Sequence, residues 1–324
     1  MEIVRETGTI VQVKLELLEG ATCPCAAGER GGDGIDLIPS ALAMSQLVRI
    51  AHSPDSDDAF MFYALTQGRL DISGLEISHV LRDIETLNRA AFEGTYEISA
   101  ISFHAYAHLA DRYALMPSGA SFGDGYGPVV VTRTARRREE FPDLVTAIPG
   151  ELTTAALALK LWQPGVRTIV VPFDQILEEV RSGKVDAGVV IHEGQLTYEE
   201  EGLVAVTDLG AWWKEETGDP LPLGGNGIRK DLDPAHSRRL CRLLTESIAY
   251  GLDHRQEALD YAMRYARGLE DDPVRSDRFV GMYVNDWTRD YGAIGRRAVQ
   301  RLLDRGHDAG ILPQRVIAEW VEAE

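Results

Sequence analysis

The sequence predicts an α/β protein in which two lobes surround a central cleft. Strand-like and helix-like segments alternate from residue 47 onward, and a helix–Gly–strand unit occurs twice, at residues 83–102 and 173–193. Two separate segments, residues 127–134 and 220–232, have the character of crossings between lobes. With 324 residues, the chain is long enough for two lobes that each bury a hydrophobic core.

The composition is that of an ordinary globular protein, with 44% hydrophobic and 26% charged residues and a formal net charge of -18. So acidic a chain is not expected to bind nucleic acid or an anionic membrane surface. No segment approaches the roughly 18 apolar residues of a membrane span, and no secretory signal is recognisable. We therefore expect a cytoplasmic monomer or homodimer that acts on a small molecule.

Residues 1–46 differ from the rest of the chain. Their segment AAGERGGDGID is rich in glycine and has no hydrophobic period, which predicts a disordered extension. Met44 opens the segment MSQLVRIAHS, which has the character of a domain start and is an alternative beginning of the protein.

The three cysteines predict no metal site. Cys23 and Cys25 form a CPC pair without a second pair of ligands, and this is a weak zinc signal. Cys241 lies in RRLCRLL and is expected to pack inside a helix.

The first lobe opens with the strand VRIAHS, which Pro54 ends in the turn SPDSDD. Asp57 or Asp58 is expected to cap the helix AFMFYALTQ, which Gly68 ends. LEISHVL alternates as a second strand. DIETLNRAAFEG is then a capped helix that stops at Gly94, before the strand EISAIS.

The repeated unit returns in the second half of the chain. FDQILEEVRSG carries apolar residues at i, i+3, i+4 and i+7, ends at Gly183, and precedes the strand VDAGVVIHE. The two strands of the repeat end on polar side chains, Ser102 and His192. Because ligands of open α/β sheets bind beyond the carboxyl ends of strands, we expect both side chains to face the cleft.

The two crossings predict a discontinuous first lobe. GPVVVTRT is a β-run that leads into the charged segment ARRREEFPD, and PLPLGGNGIRKDL precedes a helical C-terminal region. We therefore predict lobe 1 from residues 47–133 and 229–324, and lobe 2 from residues 134–228. Two crossings form a hinge, so that the cleft can close on a small ligand.

Two segments place polar groups at the start of a helix. In PGELTTAALALKL, Thr153 and Thr154 either cap the helix or, with the amides of Thr154 and Ala155, bind a carboxylate at its positive end. The three acids of SPDSDD either hold a divalent cation or, as their spacing favours, form a turn and a cap. The amides of the helix after SPDSDD could also receive a substrate carboxylate.

Two further motifs favour structural roles. SFGDGYGP lacks the phosphate-loop pattern and precedes a β-crossing, which favours a hinge or a lid. The paired tryptophans of AWW could line a pocket, but core or interlobe packing is the favoured interpretation.

His192 is the favoured catalytic candidate. It follows a strand too apolar to lie at a surface, and its ordinary pKa of about 6.5 suits proton abstraction at neutral pH. Glu193 is a weaker candidate for orienting it, because neighbours on an extended strand point to opposite faces. Such a pairing requires a turn of the backbone at residues 192–193. The sequence has no G-x-S-x-G motif, and no cysteine has the setting of a nucleophile.

Several blocks between Val48 and about Leu303 carry a family resemblance in the same order: SPDSDDAFMFYAL, DIETLNRAAFEGTYEISAISFHAYA, DRYALMPSGASFGDGYGPVVV, PGELTTA, VDAGVVIHEGQLTY, DLGAWWKEETGDPLPLG and YVND. They resemble the 1,4-dihydroxy-6-naphthoate synthase family of the futalosine pathway to menaquinone. The run VVIHE…TY…DLGAWW is the most specific part of the match.

The resemblance implies a type II periplasmic-binding-protein-like fold, with two α/β lobes joined by two hinge crossings around a central cleft. It also implies cleavage of cyclic dehypoxanthinyl futalosine into 1,4-dihydroxy-6-naphthoate and a three-carbon sugar fragment, without a cofactor. The family's histidine base falls on His192. Its ligand-binding segments fall on Ala100, Ile101, Ser102, Thr154 and Ala155.

One position departs from the family pattern. A lysine stands in relatives where this chain has Ala100, and that lysine could pair with a substrate carboxylate. Its loss removes a charge-assisted contact worth on the order of 1.5–3 kcal/mol. Another group must compensate for this loss, or the substrate differs.

Two other functions share the expected fold. Chorismate dehydratase, a sister enzyme, needs a different cleft, and the segment IHEGQLTY favours the naphthoate synthase. A non-enzymatic solute-binding protein would normally carry a signal peptide or a lipid-anchor cysteine, and neither is recognisable in this sequence.

Overall fold

The structure, a computed structural model, describes residues 45–266, 269 and 271–321. The extension predicted at residues 1–46 falls almost wholly outside the described residues, as do Cys23 and Cys25. Within the described part of the chain, no helix has the length and apolar composition needed to cross a membrane.

The first sheet has six strands in the order β2-β1-β3-β11-β4, with β5 also paired to β11. Their bounds are β1 (Gln46–His52), β2 (Leu75–Leu81), β3 (Ile98–Ser102), β4 (Tyr113–Leu115), β5 (Ser121–Gly123) and β11 (Leu221–Arg229). Strand β1 runs parallel to β2 and β3, whereas β11 runs antiparallel to its three neighbours.

The second sheet has the order β10-β6-β9-β7-β8. Its strands are β6 (Val129–Thr132), β7 (Val145–Ile148), β8 (Arg167–Val170), β9 (Ala187–Val190) and β10 (Val204–Asp208). Strand β7 is parallel to β8 and β9, and β6 is antiparallel to β9 and β10. We call the first sheet with its helices lobe 1, and the second sheet with its helices lobe 2.

Both predicted lobe boundaries shift with this pairing. Strand β6, placed in lobe 1 by a boundary at residue 133, pairs with β9 and β10 in lobe 2. Strand β11, placed in lobe 2 by a boundary at residue 229, pairs with β3 in lobe 1. The chain crosses between lobes at residues 124–128 and 218–220. The crossings are thus short irregular segments. The strand after the first crossing, β6, belongs to the sheet of lobe 2, and the strand after the second crossing, β11, belongs to the sheet of lobe 1.

Helices cover both sheets. Lobe 1 contains α1 (Ser56–Met61), α2 (Tyr63–Thr66), α3 (Ile84–Phe92), α4 (Phe103–Leu109), α8 (Pro234–Asp253), α9 (Arg255–Ala262), α10 (Pro273–Tyr283), α11 (Asp286–Arg289) and α12 (Gly292–Asp308). Lobe 2 contains α5 (Thr154–Trp162), α6 (Ile176–Arg181) and α7 (Leu209–Thr217). Short 3₁₀ turns occupy Arg138–Asp143, Phe173–Gln175, Glu193–Leu196 and Met263–Tyr265.

Local signals in the sequence account for several helix ends. Asp83 caps α3 by accepting a hydrogen bond of 3.0 Å from the Thr86 amide, and Gly94 follows the helix with a φ of 62°. The cap predicted for the helix after SPDSDD is wrong: α1 begins at Ser56, before both candidates, and its N-cap residue makes no side-chain cap bond. Asp58 instead reaches back to the amide of Ser53, at 2.6 Å.

The hydrophobic core is continuous between the lobes. One buried cluster joins Tyr106 of α4, Leu157 of α5 and Leu302 of α12. Cys241 is buried in α8, where burial raises the pKa of its thiol to about 12, in accord with the predicted packing role. The shared cluster fixes α5 against lobe 1, and this places the polar groups at its N-terminus at a cavity between the lobes.

Candidate active site

A cavity lies between the lobes, beyond the carboxyl ends of β1 and β3. Its empty volume is about 830 Å³, including the part open to solvent, and small-molecule sites span roughly 300–1,000 Å³. Six of the predicted site residues line it: Ala100, Ile101, Ser102, Thr153, Thr154 and Ala155. Among the described residues that line the cavity, none is lysine, arginine or histidine.

Ser102 ends β3 at the floor of the cavity and is held by Asn88 of α3. The Asn88 side chain accepts from the Ser102 amide at 2.9 Å and donates to the Ser102 hydroxyl at 3.1 Å. Both residues are buried. Since the serine oxygen already accepts this bond, its own O–H remains available to donate into the cavity.

The N-terminus of α5 meets Ser102 from lobe 2. Thr153 caps the helix by accepting from the Ala156 amide at 3.2 Å, and its hydroxyl donates to the Gly150 carbonyl at 2.8 Å. The capping interpretation of Thr153 is therefore confirmed. The hydroxyl of Thr154 accepts from the His104 amide at 3.3 Å and keeps its own proton to donate.

The first amides of α5 are further hydrogen-bond donors at this part of the cavity. The amides of Thr154 and Ala155 donate to no other group within the described chain, as is usual for the first turn of a helix. With the hydroxyls of Ser102 and Thr154, they offer up to four donors at a helix N-terminus, where the dipole favours a negative charge. This arrangement can hold a carboxylate without a cationic side chain, and Ala100 lies beside it in β3.

His104 fastens this part of lobe 2 to lobe 1. Its Nδ1–H donates to the Thr153 carbonyl at 3.1 Å, because a carbonyl oxygen can only accept. Burial lowers the pKa of His104 to about 4, so the ring is neutral at pH 7. A second contact across the lobes joins the Leu152 amide to Glu85 Oε2 at 3.2 Å.

His192 lies at the end of β9, immediately before the 3₁₀ turn Glu193–Leu196, and is 9% exposed. Its Nδ1 accepts from the Gly194 amide at 2.9 Å, and its Nε2–H donates to the Phe173 carbonyl at 3.2 Å. These partners fix a neutral imidazole with its proton on Nε2. Ile191 and Gln195 line the cavity on either side of this residue in the chain, and His192 is not among the lining groups.

Glu193 begins the 3₁₀ turn and contacts lobe 1. The backbone turns at residues 192–193 into the 3₁₀ helix, so that Glu193 does not continue an extended strand. Its side chain is fully buried, and its Oε1 accepts from the Ser56 hydroxyl of lobe 1 at 2.9 Å. The backbone turn that a pairing of Glu193 with His192 requires is therefore present.

Gln195 makes a second contact from the same turn to lobe 1. Its Oε1 accepts from the Tyr283 hydroxyl of α10 at 2.6 Å, and its amide nitrogen donates to the Val190 carbonyl at 3.3 Å. Tyr283 is buried, and burial raises the pKa of its hydroxyl far above the ordinary value. Both side chains line the cavity. The sequence analysis singled out neither residue, although the block IHEGQLTY contains Gln195 and the block YVND begins with Tyr283.

The part of the cavity formed by the loop after β1 and the start of α1 is acidic. Asp55, Asp57 and Asp58 line it, at the start of α1. Burial raises the pKa of Asp58 to about 7, against the opposing effect of its hydrogen bond from the Ser53 amide. Carboxyl groups that ionise here repel a carboxylate, so the donors at the N-terminus of α5 suit a substrate carboxylate better than the start of α1. Within the described residues, no group of three or more His, Cys, Asp or Glu side chains is arranged to hold a metal ion.

The family model and the similar proteins of known name point to the same family. A model of the family described as "Menaquinone biosynthesis" matches residues 48–308. A Thermus thermophilus protein named 1,4-dihydroxy-6-naphthoate synthase is 42% identical over 266 residues, which cover 82% of this chain and 96% of that protein. A Streptomyces coelicolor protein of the same name is 36% identical and covers 82% and 95%, respectively.

Solved structures show the fold. A crystal structure of a protein from Archaeoglobus fulgidus is similar with a TM-score of 0.78 at 47% identity, covering 82% of this chain and 98% of that one. The alkanesulfonate-binding protein SsuA of Xanthomonas axonopodis has a TM-score of 0.64 at 13% identity, covering 84% and 96%. A Candida albicans protein described as having the generic periplasmic-binding-protein fold has a TM-score of 0.63 at 14% identity, covering 83% and 91%. The predicted periplasmic-binding-protein-like fold, two α/β lobes around a cleft, is confirmed.

Proposed function

The chain belongs to the menaquinone biosynthesis family, and on that premise we propose that it is a 1,4-dihydroxy-6-naphthoate synthase. In this proposal it is a carbon–carbon lyase that converts cyclic dehypoxanthinyl futalosine to 1,4-dihydroxy-6-naphthoate and releases the sugar-derived fragment. The names of two relatives at 42% and 36% identity support this assignment.

The observation that carries the proposal is the set of hydrogen-bond donors that both lobes present to the cavity. The Ser102 hydroxyl comes from lobe 1, and the Thr154 hydroxyl and the amides of Thr154 and Ala155 come from lobe 2. The proposed substrate and product both carry a ring carboxylate. A carboxylate bound by both lobes would favour the closed cleft, because it interacts fully only when the lobes are together. The missing lysine at Ala100 is then offset by hydroxyl and amide donors.

We assign His192 as the base that removes a proton from the substrate. The Phe173 carbonyl holds the Nε2 proton, so that Nδ1 carries the lone pair a base requires. Nδ1 also accepts from the Gly194 amide, at 2.9 Å. The proposal therefore includes a local movement of residues 192–194 that exposes Nδ1 when substrate binds. Loss of the proton leads to carbon–oxygen and carbon–carbon cleavage, and formation of the aromatic ring drives the reaction.

The alternatives predict different products. A solute-binding protein would bind a small carboxylate in the same cavity without turnover, whereas a chorismate dehydratase would dehydrate chorismate and leave the cyclic futalosine intact. A cytoplasmic location, a monomeric or homodimeric state and independence of a cofactor stay predictions.

The direct test incubates the purified protein, with and without prior treatment with a metal chelator, with cyclic dehypoxanthinyl futalosine, and in a parallel reaction with chorismate. We expect naphthoate from the cyclic substrate, with or without the chelator, and no conversion of chorismate. Binding of the cyclic substrate without product would favour a receptor, and conversion of chorismate would favour the sister enzyme. Activity that is lost on chelation and restored by a metal would contradict the cofactor-independent reaction.

A further inference from the structure

Asp57 faces the cavity from lobe 1 and takes no part in the proton removal assigned to His192. It lies in the first turn of α1, is half-buried and lines the cavity. Glu193, at the start of the turn that follows His192, is close enough to affect its ionisation. The residue therefore lies in lobe 1, across from the turn that bears the proposed base.

The hydrogen bonding around Asp57 distinguishes it from the other two acids of its loop. The Ser53 amide donates to Asp58 at 2.6 Å, and the Ser53 hydroxyl donates to Asp55. These bonds fasten the loop between β1 and α1. Within the described chain, Asp57 has only the Asp58 amide as a hydrogen-bond partner, so its carboxyl group is left to interact with a ligand.

The surroundings of Asp57 favour a neutral carboxylic acid. Burial raises its pKa well above the ordinary value, and the charges of Asp58, Asp55 and Glu193 raise it further. The hydroxyl of Tyr283, on α10, is the other titratable group that interacts with it, and it is neutral because its own pKa is raised. No cationic side chain lines the described cavity to oppose these effects. A carboxyl group whose pKa is raised in this way holds its proton to higher pH and is suited to donate it.

We propose that Asp57 is the general acid of the reaction, and that it protonates the oxygen released when the carbon–oxygen bond of the sugar-derived part breaks. This assignment rests on the proposed lyase function. It adds a second catalytic residue, from lobe 1, to the base from lobe 2.

The two groups complete one elimination step. His192 Nδ1 takes a proton from carbon, and the electron pair of that C–H bond forms a carbon–carbon double bond. The adjacent carbon–oxygen bond breaks, and the departing oxygen takes the proton of the Asp57 carboxyl. The step leaves an imidazolium and a carboxylate, which return to their starting states by proton exchange through water, so no oxidant or reductant is consumed.

The charge distribution of the cavity also fixes the orientation of the substrate. The ring carboxylate binds at the N-terminus of α5, because the hydroxyl and amide donors lie there and the helix dipole favours a negative charge. The hydroxyl-bearing, sugar-derived part then faces α1, where carboxyl oxygens accept hydrogen bonds from its hydroxyl groups. This places the departing oxygen at Asp57.

The first test is the Asp57→Asn variant, which keeps the size of the side chain but cannot donate an acidic proton. We expect kcat to fall by about 10²–10⁴-fold, the usual contribution of a general acid, with KM changed less than threefold. Its unfolding curve should show no loss of stability, because the substitution removes one of several crowded acids. An unchanged kcat, or a rise in KM alone, would overturn the assignment.

The second test is the pH dependence of kcat, which a purely structural role would not affect. In the wild type, kcat should fall at alkaline pH as Asp57 ionises, and this decline should be absent from Asp57→Asn. The matched variant Asp58→Asn removes a negative neighbour and keeps an oxygen that can accept from the Ser53 amide. Its decline should move to lower pH by at least half a unit, because Asp57 then ionises more readily. An alkaline decline that is the same in all three proteins would overturn the proposal, even if Asp57→Asn folded poorly.

The wild-type reaction separates this proposal from the function itself. If the wild type forms no naphthoate from the cyclic substrate, the proposed function fails. If the wild type forms naphthoate and Asp57→Asn does so at the same rate, only the assignment of the acid fails.

Discussion

The hydroxyl of Ser56, in lobe 1, donates a hydrogen bond of 2.9 Å to the carboxyl group of Glu193, in lobe 2, and both residues are fully buried. The acceptor is the first residue of the 3₁₀ turn that follows His192. The bond can form only when the lobes are together. It therefore links closure of the cleft to the position of the proposed base.

Removing this contact by Ser56→Ala should destabilise the closed protein. A buried hydrogen bond to a carboxyl group contributes about 1–3 kcal/mol, and we expect the free energy of unfolding to fall by that amount in urea. Turnover should fall as well, because the turn after β9 is held less firmly. The control is Ser73→Ala, which removes an exposed hydroxyl bonded to Asp71 and should change stability by less than about 0.5 kcal/mol. Equal stability of the two variants would contradict the role of the contact.

Ala100→Lys tests where the substrate carboxylate lies. An ammonium group beside Ser102 and the N-terminus of α5 would add a charge-assisted hydrogen bond to a bound carboxylate. Since such a bond contributes about 1.5 kcal/mol or more, KM for the cyclic substrate should fall roughly tenfold. Ala100→Met, which adds similar length without charge, should not lower KM. A KM that is lowered equally by both variants, or by neither, would show that the carboxylate binds elsewhere.

Gly194→Ala should disturb the position of His192. A Cβ atom at this residue would lie 2.7 Å from His192 Cε1 and 2.9 Å from Leu177 Cδ1, and neither distance is tolerated without movement. We expect a loss of about 1–3 kcal/mol in the free energy of unfolding, together with at least a tenfold loss of kcat. Steady-state kinetics and urea unfolding measure the two effects. Normal turnover in a destabilised variant would show that the geometry of this turn does not matter to the reaction.

His104 should make the protein sensitive to acid. Burial lowers its pKa from the ordinary 6.5 to about 4, so the unfolded chain binds a proton between these values and the folded protein does not. Stability should therefore fall as the pH decreases from 6.5 to 4, by up to about 3 kcal/mol from this residue. His104→Asn, whose amide can still donate to the Thr153 carbonyl, should show a shallower decline. Parallel stability curves for the two proteins would contradict the prediction.

The parts of the site that local sequence determines were predictable. Thr153 and Thr154 follow Pro-Gly and precede an apolar helix, so their place at a helix N-terminus is set by capping chemistry. Ser102 and His192 end the repeated helix–Gly–strand units, and they were expected at strand ends for that reason. Ser102 lines the cavity, whereas the imidazole of His192 bonds to two backbone groups.

The parts that were missed depend on contacts between distant segments. Tyr283 and Gln195 are 88 residues apart in the chain. No local sequence pattern predicts that the Gln195 amide and the Tyr283 hydroxyl form a hydrogen bond. The burial of Glu193 depends on a backbone turn that strand periodicity does not reveal. The lobe boundaries failed for the same reason, because β6 and β11 are apolar runs whose sheet is decided by their partners.

In the proposed reaction, His192 serves as the base of a lyase acting on cyclic dehypoxanthinyl futalosine. The most direct measurement compares naphthoate formation by the wild type and by His192→Asn at saturating substrate, with substrate binding measured separately. We predict naphthoate from the wild type, and at least a hundredfold lower rate from a variant that still folds and binds substrate. Full turnover by His192→Asn would contradict the role of His192 as the base.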